Sequence, residues 1–341
     1  MKRLFRRDYN VFPWIVLLGL AAMWVASVRA DEAIPSAALE NSAATSPNLK
    51  FLPKSYWLAA ELDCAPLQGI FNSPEAQRNP QYAQFKQMLQ LAKAFTGIDL
   101  EKEVDRVTLF MAGDPDSNPQ YLFVVQGTFD NQIVEAKLTQ TLGKSMSEKT
   151  YKESTVYSRS EWSLSFPVEK TILFGKEALI HEAIDRLHGK KALLPAAVKK
   201  VLERTPGDHL IWAAIRPQVI LDSRVLGEWR EKNKDLHATL QKLECVSFAF
   251  SAADDGLLAK ALGYTPKADG ASQVYDYLKT RKSALLTQEG SNVFSASFLI
   301  LSELNTSGPY VQGSFRLTAK SMEELWKTKV IVKPKPKADN D

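Results

Sequence analysis

Glu103–Gly143 reads EVDRVTLFMAGDPDSNPQYLFVVQGTFDNQIVEAKLTQTLG, and its patterning is strand, turn, strand, helix. Val107, Leu109 and Met111 fall on one face of the first strand, which is the two-residue period of a pleated chain. Gly113–Pro119, GDPDSNP, is built of residue types that each favour a reversal. Asp130 stands as N-cap to a helix carrying Ile133, Val134, Leu138 and Leu142 on one side. The pattern recurs: Val246, Phe248 and Phe250 repeat the first strand 139 positions later. The glycines closing the return strands, Gly127 and Gly263, are 136 apart. These offsets predict an internal duplication whose second hairpin loop is three residues shorter.

Upstream of the hairpin, Tyr56–Leu62 is an apolar run that reads as a strand buried on both faces. A helix over about 75–95 follows, stopped at Gly97. Downstream come strands over about 149–158, 161–166 and 171–175, then an amphipathic helix over 176–187 ended by His188-Gly189. The second half replays this order. Ala213-Ala214 matches Ala59-Ala60 at an offset of 154 inside a strand over 210–215. A helix over about 218–243, the second hairpin, a helix over 271–286 and strands over 292–301 and 310–318 complete it. Ser321 with Glu324 is a capping box for a last helix through Trp326. The fold class is therefore α+β: two tandem split-βαβ-like repeats, antiparallel sheets with helices packed on one face.

The ends set the location. Lys2, Arg3, Arg6 and Arg7 precede an apolar run from about Val11 to Val28 and a small-x-small exit at Val28-Arg29-Ala30, the plan of an export signal cleaved before Asp31. The competing reading is a retained membrane anchor, since about 18 apolar residues just span a bilayer. Residues 31–50 read as a spacer, 51–190 and 191–330 as the two repeats, and 331–341 as a disordered Lys/Pro tail. Without residues 1–30 the chain carries 38 basic and 38 acidic side chains. A neutral body with a basic tail is no nucleic-acid footprint.

The segments LPKSYWLAAELD, VDRVTLFMAGDPDS, YKESTVYSR and KTILFGKEALIHEAIDRL resemble a group of exported bacterial proteins of unknown function. The resemblance implies export and this fold, and it carries no catalytic residues. The group's pattern expects a glycine after Tyr151-Lys152, where this chain has Glu153.

Few residues point to chemistry. His181, Asp185 and His188 share one helical face at i, i+4 and i+7, a spacing able to share a divalent ion. The buried stripe of that helix is Ile180, Ala183, Ile184 and Leu187, so this face reads as solvated and the chain as free of metal and cofactor. Asp114, Asp116 and Asn118 imitate the start of a calcium loop, but Pro119 replaces its glycine and Val125 its bidentate glutamate. Cys64 and Cys245 fall in different halves, either bridged or buried as free thiols. Trp57, Trp162, Trp212 and Tyr310 lie in strands, as core residues or as the lining of a groove for an apolar ligand or an extended peptide. The function expected is a non-enzymatic binding or scaffolding protein of the periplasm or envelope, whose partner is an envelope protein or a small apolar ligand. A hydrolase with its site assembled between the repeats and a membrane-tethered envelope component are the alternatives.

Overall fold

The structure is a computed structural model describing residues 46–66, 68, 86, 87, 89–91, 93, 94, 96–142, 146–189, 194–205, 209–253, 256–287 and 302–318. The leader, most of the spacer, most of the 75–95 helix, the 292–301 strand, the Ser321–Trp326 helix and the tail lie outside these residues. Among the described residues no helix is long and apolar enough to cross a membrane.

The chain is α+β and its strands join one antiparallel sheet. They are β1 Tyr56–Asp63, β2 Val104–Asp114, β3 Asn118–Gly127, β4 Ser147–Tyr151, β5 Ser154–Arg159, β6 Trp162–Val168 and β7 Thr171–Gly175. After these come β8 Ile211–Ile215, β9 Cys245–Ala253, β10 Gly256–Tyr264, β11 Glu303–Ser307 and β12 Tyr310–Thr318. Their order across the sheet is β11-β12-β10-β9-β8-β1-β2-β3-β7-β6-β5-β4. The first strands of the two halves, β1 and β8, are therefore hydrogen-bonded neighbours at its centre, with Ala60 opposite Ala213 and Ala59 opposite Ala214.

Helices pack on both faces of this sheet, where one face was expected. On one side Ala59, Phe110, Leu122, Leu173, Trp212 and Ala249 are covered by Leu179, Ile180, Ala183 and Ile184 of helix Glu177–Leu187. Val198, Val201 and Leu202 of helix Ala196–Leu202 join the same core. On the other side Tyr157, Leu164 and Ile172 pack under Val134 of helix Asn131–Leu142. Trp57, Leu109, Met111 and Phe123 meet Val219 and Ile220 of the short helix Pro217–Leu221, and Val246 and Val311 meet Val274 of helix Ala268–Thr287. The reason lies in β2, where Phe110 and Ala112 alternate with Leu109 and Met111. A strand apolar on both faces needs cover on both.

The ladders also correct the offsets. Val107 pairs with Leu62 and Val125, and Val246 pairs with Ile215 and Gly263. With Val107 and Val246 in corresponding places, Leu62 answers to Ile215 at an offset of 153, and Gly263 answers to Val125 rather than to Gly127. The offset of 154 was one residue out. A slip of one turns every side chain to the other face, and Ala59 indeed shares its face with Ala214, not with Ala213. The first hairpin closes with the pair Asp114 and Asn118, with three residues between them, and the second with Ala253 and Gly256, with two. The second is thus one residue shorter, not three. Both glycines sit where neighbours approach closely all the same, Gly127 against backbone and Gly263 against side chains. A Cβ on Gly127 would lie 1.7 Å from the Glu103 carbonyl oxygen, and one on Gly263 2.7 Å from a Leu243 methyl.

Three further elements differ from the sequence reading. The helix over 218–243 is instead broken into short pieces, Pro217–Leu221, Arg224–Leu226, Gly227–Lys232 and Lys234–Leu240. The strand over 149–158 is two strands, β4 and β5, joined by Lys152-Glu153 with φ of 45° and 68°. Phe248, at the place of the buried Leu109 in the repeated strand pattern, is 40 % exposed.

Two outcomes follow for stability. Glu153→Gly removes a side chain from a left-handed turn position, where an L-residue costs about 1–2 kcal/mol; urea unfolding should show a gain of about 1 kcal/mol, and no gain would mean that the turn is not left-handed. Trp212→Ala, at a position with no exposure, should cost about 3–5 kcal/mol, whereas Phe248→Ala should cost only about 1–2 kcal/mol. Equal losses in the same measurement would contradict this assignment of faces.

Candidate functional site

Polar groups gather at two places on the face that carries helices Glu177–Leu187 and Ala196–Leu202. The first is Glu61, which alternation in β1 places between the partner strands β2 and β8 with 4 % exposure. Its Oε2 accepts from Thr108 Oγ1 at 2.7 Å and from Ser46 Oγ at 2.6 Å. Its Oε1 accepts from Trp212 Nε1 at 3.2 Å and lies 3.4 Å from Arg106 Nε. Asn48 Nδ2 donates to Thr108 Oγ1 at 2.8 Å and so extends the network to the segment before β1. A buried carboxylate with both oxygens engaged and a guanidinium beside it is compensated. Glu61 therefore acts as a structural tie, not as a free acid or base.

Asp63, at the end of the same strand, behaves differently. Burial raises its carboxyl above the ordinary value; the Ala65 N–H at 3.1 Å and Arg106 oppose the shift, and Glu61 adds to it.

The second place is a cavity of about 300 Å³ over β9, β10, β12 and β11, lined among others by Arg204, Ser247, Lys260, Asn305, Tyr310 and Gln312. Arg204 follows helix Ala196–Leu202, and its guanidinium carbon lies 3.9 Å from the centroid of the Tyr310 ring. Tyr264 stands beside Tyr310 with centroids 5.5 Å apart and accepts from Lys200 Nζ at 2.8 Å. At the floor Thr205 Oγ1 donates to the Val201 carbonyl at 2.9 Å, which leaves Ser247 to donate to Thr205 at 2.8 Å. The described lining thus offers cations, hydroxyls, amides and a phenol, but no imidazole, carboxylate or thiol.

The four strand aromatics do not form one groove. Tyr310 lines the cavity. Trp212 shares its face but is sealed beneath the helices with its indole on Glu61. Trp57 belongs to the opposite face with Leu109 and Met111, because the ladder shifts register between Tyr56 and Leu58. Trp162 is half-buried, 5.6 Å from Phe174, whose partners also lie on that opposite side.

His181, Asp185 and His188 are engaged separately. His181 stacks on Tyr151 with centroids 3.9 Å apart, Asp185 accepts from Tyr151 OH at 3.0 Å and pairs with Lys152, and His188 ends the helix in solvent. Among the described residues no group of three or more His, Cys, Asp or Glu is placed to hold a metal ion. Asp114 closes its own turn through the Asp116 N–H, and the Asp116 carboxylate accepts from the Arg224 N–H, tying the first hairpin to the second half.

Cys64 and Cys245 are buried free thiols, the second of the two readings. They sit in cores on opposite faces, and the register sets them at opposite ends of the β1–β8 ladder. Burial pushes each thiol up to about 12, so neither is a nucleophile at neutral pH.

No family model and no curated protein matches this chain. Among solved structures it is similar to crystal form I of TP0453, with a TM-score of 0.42, 10% identity, and coverage of 84% of this chain and 100% of that one. Form III gives 0.41, 10%, 82% and 97%, and form IV gives 0.41, 10%, 81% and 96%.

The Asp63 shift gives a pH test. A carboxyl held above its unfolded value of about 3.9 binds its proton more tightly in the folded chain, so its ionisation removes stability as pH rises through that value and the folded one. Asp63→Asn escapes this loss. It should be more stable than the parent at pH 7, with the advantage shrinking as pH falls through the folded value and gone below about pH 3.9; urea titrations at pH 7 and below about pH 3.9 check this, and no advantage at pH 7 contradicts it.

Proposed function

We propose that this chain is an exported, non-enzymatic binding module whose ligand site is the cavity over β9, β10, β12 and β11. The observation that carries the reading is the lining itself: donors and a stacking surface converge on about 300 Å³, and the described lining holds no imidazole, carboxylate or thiol. Concave sites with a few convergent polar groups are the usual seats of small ligands. Export rests on the basic, apolar and small-residue order of Met1–Ala30. The same leader, if retained, makes the module a tethered one.

A duplicated origin is part of the proposal. Its support is that β1-β2-β3 and β8-β9-β10 run outward from a shared centre in the same sequence of pairings. That arrangement also weighs against a hydrolase seated between the halves. The junction there is a hydrogen-bonded ladder of Ala59 and Ala60 with Ala213 and Ala214, so the two halves meet as neighbouring strands and not across a gap in the sheet.

The test is a thermal-shift screen of small organic anions, cations and neutral compounds on the full chain and on Asn305→Trp, which plugs the cavity from an exposed strand position. A ligand present at about 100 times its Kd adds about 2.7 kcal/mol of stability. At least one class should raise the Tm of the parent and leave Asn305→Trp unmoved. Shifts that survive the plug, or steady turnover of chromogenic esters, would contradict the proposal.

A further inference from the structure

We infer that the ligand of this cavity is a small organic anion whose carboxylate or phosphate is held by Arg204 and Lys260, an inference that rests on reading the cavity as the binding site. Two cations line the cavity and no carboxylate among the described residues lines it with them. Concave walls bearing one sign of charge concentrate ions of the other.

The two cations differ in what they offer. Arg204 lies against the Tyr310 ring at 3.9 Å. Stacking holds the guanidinium in one plane and leaves its N–H edge for a planar, two-oxygen partner. Lys260 projects from the middle of GLLAKALGY, half-buried, with Ala249 and Ser314 opposite it on the neighbouring strands. Neither neighbour neutralises it. Glu303 shares its row one strand beyond Ser314, but no ion pair joins it to Lys260 among the described residues, which leaves the half-buried ammonium to water or an anion.

The fold does not require a lysine there. Three residues before Gly263 on β10 is Lys260, and three before Val125, its counterpart in the ladder, is Leu122 on β3. Leu122 is fully buried in the core beneath helix Glu177–Leu187. The same place in the sheet is therefore packed with apolar side chains in one half and left polar, cationic and hollow in the other. The volume limits the inserted part of the guest to roughly ten water-sized groups, which suits a small molecule. Ser247 and Gln312 supply further hydrogen bonds.

Calorimetric titration of the full chain at low salt tests this with three probes: benzoate, inorganic phosphate and the neutral benzamide. One of the two anions should bind, and which one does so tells carboxylate from phosphate. Benzamide should bind at least tenfold more weakly than benzoate if the carboxylate is the group held. Arg204→Gln and Lys260→Gln should each weaken the anion at least tenfold without lowering Tm, and added salt should weaken it further. Benzamide matching benzoate, with both lost in Asn305→Trp, would overturn the anion class while leaving the cavity as the site. Failure of both anions to bind overturns the inference. So does phosphate binding that appears only in Glu323→Gln/Glu324→Gln, because the chain's own acids after β12 would then be the occupant.

Discussion

The pairing of β1 with β8 is the constraint on which the molecule depends. Each strand begins its half of the chain, and each has its other edge occupied by the first strand of its own hairpin, β2 or β9. The remaining edges face each other and bond antiparallel, with small alanines, Ala60 and Ala213, opposite one another near the centre. Without this ladder the halves would expose two long apolar edges, which are templates for aggregation. With it they become one sheet, and the face shared by both halves carries a single core from Val156 on β5 to Tyr310 on β12.

The ladder also explains the placement of Glu61. A carboxylate in the middle of a central strand is tolerated because donors come from both neighbours, Thr108 on β2 and Trp212 on β8, and from Ser46 of the preceding segment. Bonds from both halves and from the entering chain meet on one side chain. Removing it leaves several buried donors unmatched, and it is the unmatched groups, more than the lost bonds, that are costly.

Much of this was legible in the residues. The Val107 and Val246 patterns identified β2 and β9, which flank β1 and β8, and the apolar run of β1 announced burial on both faces. Expecting helices on one face went against that second signal. The one-residue error in matching Ala59-Ala60 to Ala213-Ala214 arose because two adjacent alanines fit either register; only hydrogen bonding resolves which face each takes. The broken helix after β8 was not legible, since its apolar residues keep a helical spacing across the breaks. At the site, Tyr310 was picked out among the aromatics, while Arg204 and Lys260 were missed. Lys260 did leave a signal, a cation inside an otherwise apolar strand, as did Glu61 in YWLAAELD. Arg204 left none, because only the fold brings the residues after a short helix over Tyr310.

Native-state hydrogen exchange of the β1 and β8 amides tests the central claim most directly. If the β1–β8 ladder makes the two halves one sheet, the amides bonded across it should exchange as slowly as those between β2 and β3, opening only when the whole sheet unfolds. Fast exchange at Ala59, Glu61, Trp212 and Ala214, whose amides point across the β1–β8 ladder, while β2–β3 and β9–β10 stay protected, would mean that the halves are separate folding units resting side by side, and the account would be wrong at its centre.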